Sequence, residues 1–288
     1  MNHAVLSMDV EDWRHLDYID RRSADATYCM LDGVERYAEL LERHGVRSTF
    51  FVLGELAESL KPVLRQLVDA GHEIASHGWD HTRPLKLAPQ EFAADVRRSR
   101  QTIEDVIGKA VLGYRAPCFS LDRERLELLE ATGHKYDSSR IDFAAHPLYG
   151  TIDMHGFCEA DDMVFNRGSF VEFQVSTVRL RGRPAPVSGG GYLRIFPWFV
   201  MRRAVEHYLK TGAMYTLYIH PFELSSKANP PFPRNTRLRD RIRCTLGRAG
   251  TGRKLEELIG LLKSRSYETT TFAELRQRMF AGEGREAA

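Results

Sequence analysis

The residues best able to do chemistry in this sequence are His77-Gly78-Trp79-Asp80-His81, two imidazoles four positions apart just after a short apolar run. At that spacing two histidines can share one metal ion if they lie on one helical turn or a tight loop. With eleven histidines in 288 residues such a pair also arises by chance, and taken alone an incidental pair is the plainer explanation. Three further groups reverse that weighing. Asp9-Val10-Glu11-Asp12 closes the first strand-like segment, Arg115-Ala116-Pro117 follows another, and Leu217-Tyr218-Ile219-His220 ends a third. Together they supply metal ligands, a carboxylate base, an arginine and a further histidine, the parts needed to hydrolyse an amide or ester with an activated water. If strand geometry persists through Glu11, Asp9 and Glu11 share a face because the side-chain period is two, which favours Glu11 as the metal carboxylate. If the strand stops at Asp9, a turn presents Asp12 instead. Both arrangements fit the sequence.

The elements that must position these groups are legible from hydrophobic period and stop signals. Ala4–Met8 reads as a buried strand delivering its C-terminal end to a site. Helices are predicted over 32–44, 61–70, 89–107 and 122–132, stopped by Gly45, Gly71, Gly108 and Gly133. Strands are predicted at 48–53, 73–76, 110–114 and 136–137. From about 140 to 195 the pattern loosens into loops and short strands, including Phe170 to Leu180 and the triple glycine Gly189-Gly190-Gly191. Helix and strand resume at 196–209 and 214–219, followed by a helix near 254–263, a strand at 267–270 and a last helix from Phe272. Strand–helix alternation predicts a mostly parallel sheet. Every chemical residue follows a strand, the arrangement of a barrel-like α/β fold with its site at the strand C-termini. One domain over 1–288, with a decorated middle at about 140–195, is the expected organisation.

Composition excludes little but points consistently. The formal charge of +2 gives no reason to expect a dedicated nucleic-acid binder, and no apolar run approaches the roughly 18 residues of a membrane span. The N-terminus shows no secretory pattern, and Cys29, Cys118, Cys158 and Cys244 form no CxxC pair, so a cytoplasmic protein with reduced thiols is expected. The segment Arg234 to Lys254 is strongly basic. A helix with a solvated basic face is its bland explanation, and an anion contact such as a pyrophosphate or a negatively charged membrane surface is its functional one. The triple glycine lacks the Lys-Ser/Thr that follows a phosphate loop, and is better read as allowing close backbone approach near the site or a tight turn.

With those residues in place, the chain resembles the polysaccharide deacetylase family (carbohydrate esterase family four, including nodulation-type chitooligosaccharide deacetylases). Asp9-Val10-Glu11-Asp12 stands where the family has its acidic first motif, His77-Gly78-Trp79-Asp80-His81 resembles the second, Arg115-Ala116-Pro117-Cys118-Phe119 the third and Leu217-Tyr218-Ile219-His220 the fifth. Ser176–Leu180 and Pro186–Tyr192 are similar to a subgroup encoded with bacterial exopolysaccharide and exosortase systems. The resemblance implies a distorted (β/α) barrel and metal-assisted hydrolysis of an N-acyl group, N-acetyl foremost, on an amino sugar. It implies one divalent ion, zinc foremost, on His77, His81 and a first-motif carboxylate, Glu11 or Asp12. Asp9 would be the general base, Arg115 its partner, and His220 the general acid. Asp137 resembles the carboxylate that orients this acid histidine, and the amide of Cys118 would help hold the oxyanion. Pro117 and Cys118 would border the substrate, with Trp79 as a wall of the site where plain packing is the competing role. A deformylase or amidase on a small N-acyl substrate would use the same machinery, and a catalytically inactive carbohydrate-binding relative would keep the fold without turnover.

Overall fold

A computed structural model of the chain describes residues 2–143, 146–180 and 182–281. Its strands are β1 (Asn2–Val10), β2 (Thr49–Val52), β3 (Glu73–Ser76), β4 (Gly113–Tyr114), β5 (Tyr136–Asp137), β6 (Cys158–Asp161), β7 (Val164–Arg167), β8 (Phe170–Phe173), β9 (Thr177–Leu180), β10 (Arg183–Pro186), β11 (Tyr215–Ile219) and β12 (Tyr267–Thr270). Ten of them form one sheet in the order β11-β1-β2-β3-β4-β5-β8-β7-β6, with β12 added to β1, while β9 and β10 pair separately. From β11 to β8 the pairing is parallel; β8-β7-β6 is antiparallel. This is the curled, barrel-like α/β sheet that the alternation predicts, and its strands come from both halves of the chain.

β1 is the axis of the sheet. It is buried on both faces from Ala4 to Val10, as a central parallel strand covered by helices must be, and only Ser7 and Asp9 interrupt its apolar run there. β11 pairs with Ala4–Met8 on one edge; β12 takes Asn2–Val5 and β2 takes Ser7–Val10 on the other. Ala4, Leu6, Met8 and Val10 pack into the larger core with Val34, Tyr37 and Leu41 of the helix Asp32–His44. Val5 faces inward, against Phe51, Ala75, Tyr136 and Phe173. Ser7 and Asp9 follow Val5 up this inner face at a spacing of two, so the apolar interior ends in polar groups at the strand C-termini. The helices stop where expected: Gly45 and Gly108 adopt left-handed φ of 59° and 70° after helices ending at His44 and Ile107.

The middle segment holds the expected loops and short strands, and the stretch Phe170 to Leu180 divides into two of them. The chain leaves the main sheet after Phe173, and Thr177–Leu180 hairpins with Arg183–Pro186 instead. The reason lies at Ser176, which spans to β11. Its N–H donates to Oγ1 of Thr216 and its Oγ accepts from the Thr216 N–H, both at 2.9 Å. Ser188 continues the closure: its carbonyl accepts from Tyr218 N–H at 2.8 Å, and its hydroxyl donates to Ser176 O at 2.8 Å. The free edge of β11 is thereby sealed without a full strand. Among the described residues no helix is long and apolar enough to cross a membrane.

Candidate metal centre and active site

The inner column of β1 continues from Asp9 to Glu11, and both carboxylates are almost wholly buried. β3 ends at Ser76, and the His77 N–H still pairs with Val52 O at 2.9 Å, so His77 is held as rigidly as a strand residue. The loop beyond is strapped down by Gly54 N–H to Gly78 O and Glu55 N–H to Trp79 O. Gly78 turns the backbone at φ 81° and His81 sits at φ 67°, an uncommon conformation for a side-chain-bearing residue that returns its ring towards His77. A glycine at position 78 suits that turn.

One ligand nitrogen or oxygen from each of Glu11, His77 and His81 lies within 4.8 Å of the others. His77 Nδ1 is 2.8 Å from the carbonyl of Arg115, and a carbonyl only accepts, so the proton is on Nδ1 and the Nε2 lone pair is free for a metal. Burial, only partly offset by Asp9 and Glu11, pushes the His77 pKa down to about 4, keeping the imidazole neutral as a ligand must be. Oε2 of Glu11 is buried, makes no hydrogen bond, and lies 2.6 Å from Nε2 of His81. Burial would raise the Glu11 carboxyl, but His81, His220 and His77 outweigh it and hold the pKa at about 2. A buried, ionised carboxylate beside the free Nε2 lone pair of His77 and the ring of His81 fits a divalent cation. Asp17 and Cys118 form a second cluster around His81, but Asp17 is exposed and burial pushes the Cys118 thiol well above its ordinary range.

Arg115 follows β4 and is fully buried, with every nitrogen of its guanidinium engaged. Nη1 donates to Asp9 Oδ1 at 2.8 Å and to Ser7 Oγ at 2.7 Å, Nε to Ser138 O and Nη2 to Ser138 Oγ, both at 3.0 Å. The plane lies over the Phe51 ring at 4.1 Å. A buried charge is tolerable only with such complete pairing, and the result fixes the direction of the Asp9 carboxylate. Cys118 and Phe119 both adopt left-handed φ, 54° and 52°, in the tight turn after β4. As the second residue of that turn Cys118 has no carbonyl within it to receive its N–H, which leaves the amide for another acceptor.

His220 caps the short helix Pro221–Leu224 after β11, with Nε2 3.6 Å from Glu11 Oε1. Its Nδ1 lies 3.4 Å from Glu223 Oε2, and its backbone N–H donates to the same oxygen at 3.0 Å. Glu223 in turn accepts from Nε of the buried Arg194 at 3.1 Å. Gly190 lies so close that a Cβ there would stand 2.1 Å from Glu223 Oε2, and one at Gly189 would stand 2.9 Å from the Tyr218 hydroxyl, so these two of the three glycines serve close backbone approach. These groups open on a cavity of about 400 Å³, also walled by Leu16, Phe119, Tyr149, Tyr192, Tyr218 and Phe222.

Asp9, Glu11, His77, His81, Arg115, Cys118 and His220 are thus brought together. Four expected site residues are not. Asp12 turns away, its Oδ1 accepting from Trp13 and Met30 N–H at 2.9 Å each, because the strand ends at Val10 and Asp12 caps the next turn. Asp137 is committed to Ser139, whose N–H and Oγ it receives at 2.9 and 2.8 Å, and to Glu172 beside it; the carboxylate facing His220 is Glu223. Burial pushes both Asp137 and Glu172 up, and the Asp137 charge adds to the rise at Glu172. Trp79 points off the cavity, under the Arg98 guanidinium at 3.4 Å and against Gly54. Pro117 is buried beside Gly78 and is no wall of the cavity. Glu223 was findable: His-Pro-x-Glu has the i, i+3 spacing of a reciprocal helix cap. Arg194 and Tyr218 carried no such signal.

Residues 14–136 match the family model described as polysaccharide deacetylase, and residues 138–276 match one described as a domain of unknown function. A peptidoglycan deacetylase of Helicobacter pylori is 32% identical over 41% of this chain and 40% of its own length. A peptidoglycan deacetylase-like protein of Gibberella zeae is 34% identical over 37% of this chain and 32% of its own length. The chain therefore spans two fifths or less of the length of these relatives. Among solved structures, a Mycobacterium smegmatis protein assigned to the polysaccharide deacetylases superposes with a TM-score of 0.61 at 18% identity, over 98% of this chain and 92% of that one. A carbohydrate esterase family 4 pseudoenzyme from Bacillus anthracis superposes with a TM-score of 0.54 at 16% identity, over 96% and 66%. These structural likenesses establish the fold.

Proposed function

Because the chain belongs to the polysaccharide deacetylase family through residues 14–136, we propose that it is a metal-dependent hydrolase removing an N-acyl group, N-acetyl foremost, from an amino sugar of a glycan or glycan precursor. The observation that carries this reading is the convergence of the Glu11, His77 and His81 ligand atoms, the arginine-fixed Asp9 and the carboxylate-paired His220 on one cavity. Held by His77, His81 and Glu11, a divalent ion of the zinc type would polarise the acyl carbonyl and acidify water. Asp9, aimed by Arg115, accepts a proton from the attacking water as its oxygen bonds to the acyl carbon. The Cys118 N–H is placed to donate to the developing oxyanion. As the carbon–nitrogen bond breaks, His220 delivers its proton to the leaving amine, without which an amide anion would have to depart. Tyr218, Tyr149 and Phe119 supply apolar walls that keep bulk water away.

The relatives named as peptidoglycan deacetylases support a cell-surface glycan or its precursor as the substrate class. The four unpaired cysteines support a reducing, cytoplasmic location, and the continuous sheet supports one catalytic unit over the whole chain. The test is elemental analysis together with acetate release from N-acetylglucosamine oligomers. About one equivalent of divalent metal is expected, lost in His77→Ala/His81→Ala. Asp9→Asn should lower kcat by about 10²- to 10⁴-fold while metal and glycan binding persist. A wild type that takes up no metal on reconstitution, or an Asp9→Asn enzyme of full activity, overturns the proposal.

A further inference from the structure

Eight large hydrophobic side chains are exposed among the described residues, and seven of them fall within two short segments, 195–200 and 238–246. Those segments adjoin. Arg194 Nη2 and Nη1 donate to the carbonyls of Arg243 and Leu246 at 2.6 and 2.5 Å, and Lys254 Nζ reaches Phe196 O at 2.7 Å. The helix Leu238–Thr245 is inverted relative to an ordinary surface helix. Leu238 and Ile242, four apart, share a face with Leu246 just beyond the end; that face is the solvent side, with Leu238 72% exposed. Phe199, 67% exposed, is the most prominent side chain of the other segment.

Exposed cations border this apolar row. Arg234, Arg237 and Arg243 have no acidic partner within salt-bridge distance among the described residues, whereas Arg241 is occupied with the carbonyls of Thr236 and Pro233. Seven exposed large apolar side chains gathered on two adjoining segments mark an interaction site. Its partner must accept aliphatic and aromatic side chains in the centre and arginines at the border. A second copy in a two-fold contact would set those arginines against each other. A glycan would offer hydroxyls to aliphatic side chains that cannot hydrogen-bond. The boundary between anionic headgroups and acyl chains satisfies both demands.

We propose that this face docks on an anionic bilayer surface. Ile195 and Arg243 belong both to it and to the rim of the catalytic cavity, so docking presents the cavity mouth at headgroup level. The solvated basic face anticipated for this segment is thereby one component of a mixed apolar and cationic surface.

The test is flotation of the full chain with vesicles of phosphatidylcholine alone or mixed with phosphatidylglycerol, at low and physiological salt. Binding is expected only to the mixed vesicles and should weaken with salt. Phe199→Ser/Ile242→Ser and Arg234→Glu/Arg237→Glu should each weaken it about tenfold or more. These side chains lie outside the catalytic cavity and are exposed, so melting temperature and turnover of a soluble substrate should be unchanged. Failure of the wild type to bind mixed vesicles, or equal binding by folded variants, overturns the proposal. So does a wild-type dimer that the variants convert to monomer without any vesicle binding, which would assign the face to a second copy. Vesicle binding is read without catalysis, so this result stands apart from the deacetylase reading.

Discussion

His220 holds a proton near neutrality against the tendency of its surroundings. Burial favours the neutral ring, but the Glu223 carboxylate, with Glu11 and Asp9 behind it, outweighs burial and raises the pKa to about 9. Glu223 is itself held below its ordinary range, since His220 and Arg194 outweigh its own burial. A charged imidazolium is the form a general acid needs. Replacing Glu223 by Gln removes the counter-charge while keeping the shape. In the metal-free protein, the His220 midpoint followed by NMR should then fall from about 9 towards or below 6.5. Turnover of the metal-loaded variant should drop about 10- to 100-fold with metal content retained. The linked stability has a definite sign. A raised histidine pKa contributes stability that is complete below about 6.5 and lost as pH rises through about 9, and Glu223→Gln should flatten that loss. Asp137→Asn should leave the His220 titration in place, because Asp137 is spent on Ser139 and Glu172.

At the level of elements, Glu73 at the start of β3 ties three others to it. It accepts from Tyr136 Oη of β5 at 2.7 Å, Thr49 Oγ1 of β2 at 2.8 Å and the N–H of Ala273, in the last helix, at 3.0 Å. Burial nonetheless dominates and pushes its pKa up to about 7. A raised carboxyl pKa contributes stability that is present below about 4.5 and lost as pH rises through about 7. Glu73→Gln mimics the protonated acid, since its oxygen can accept from Thr49 and Ala273 while its amide donates to the Tyr136 hydroxyl. Thermal melts should show this variant more stable than wild type above pH 7 by on the order of 1–3 kcal/mol, and level with it near pH 4. A wild type whose stability rises across that interval would contradict the burial argument. None of these ties was visible beforehand, although the strands and helices themselves were. β3 and the last helix are local patterns in the sequence, whereas 200 residues separate Glu73 from Ala273.

Over the whole molecule, the β11 edge of the curled sheet is sealed by Ser176 together with a single backbone bridge at Ser188 and Gly189 rather than by a full strand. Ser176→Ala strips the acceptor from the buried Thr216 N–H and should cost about 1–3 kcal/mol. In a protein of this size the melting temperature should then fall by several degrees, at about 2–4 °C per kcal/mol; an unchanged melt would show that the β11 edge is sealed without it. What the sequence alone determined is what spacing along the chain dictates. The glycines ended the helices and each strand delivered its functional residue at its C-terminal end, while the choice between Glu11 and Asp12 stayed open. The tertiary structure decided which carboxylate serves which partner. It sent Asp12 to cap a turn, gave His220 to Glu223 rather than Asp137, turned Trp79 off the cavity, and brought the 195–200 and 238–246 segments together into one exposed face. The physical reason is range. Dihedral preferences and hydrophobic period act over a few residues, while hydrogen-bond partners and shared surfaces depend on strand order and loop path, which bring together residues that are remote in the chain.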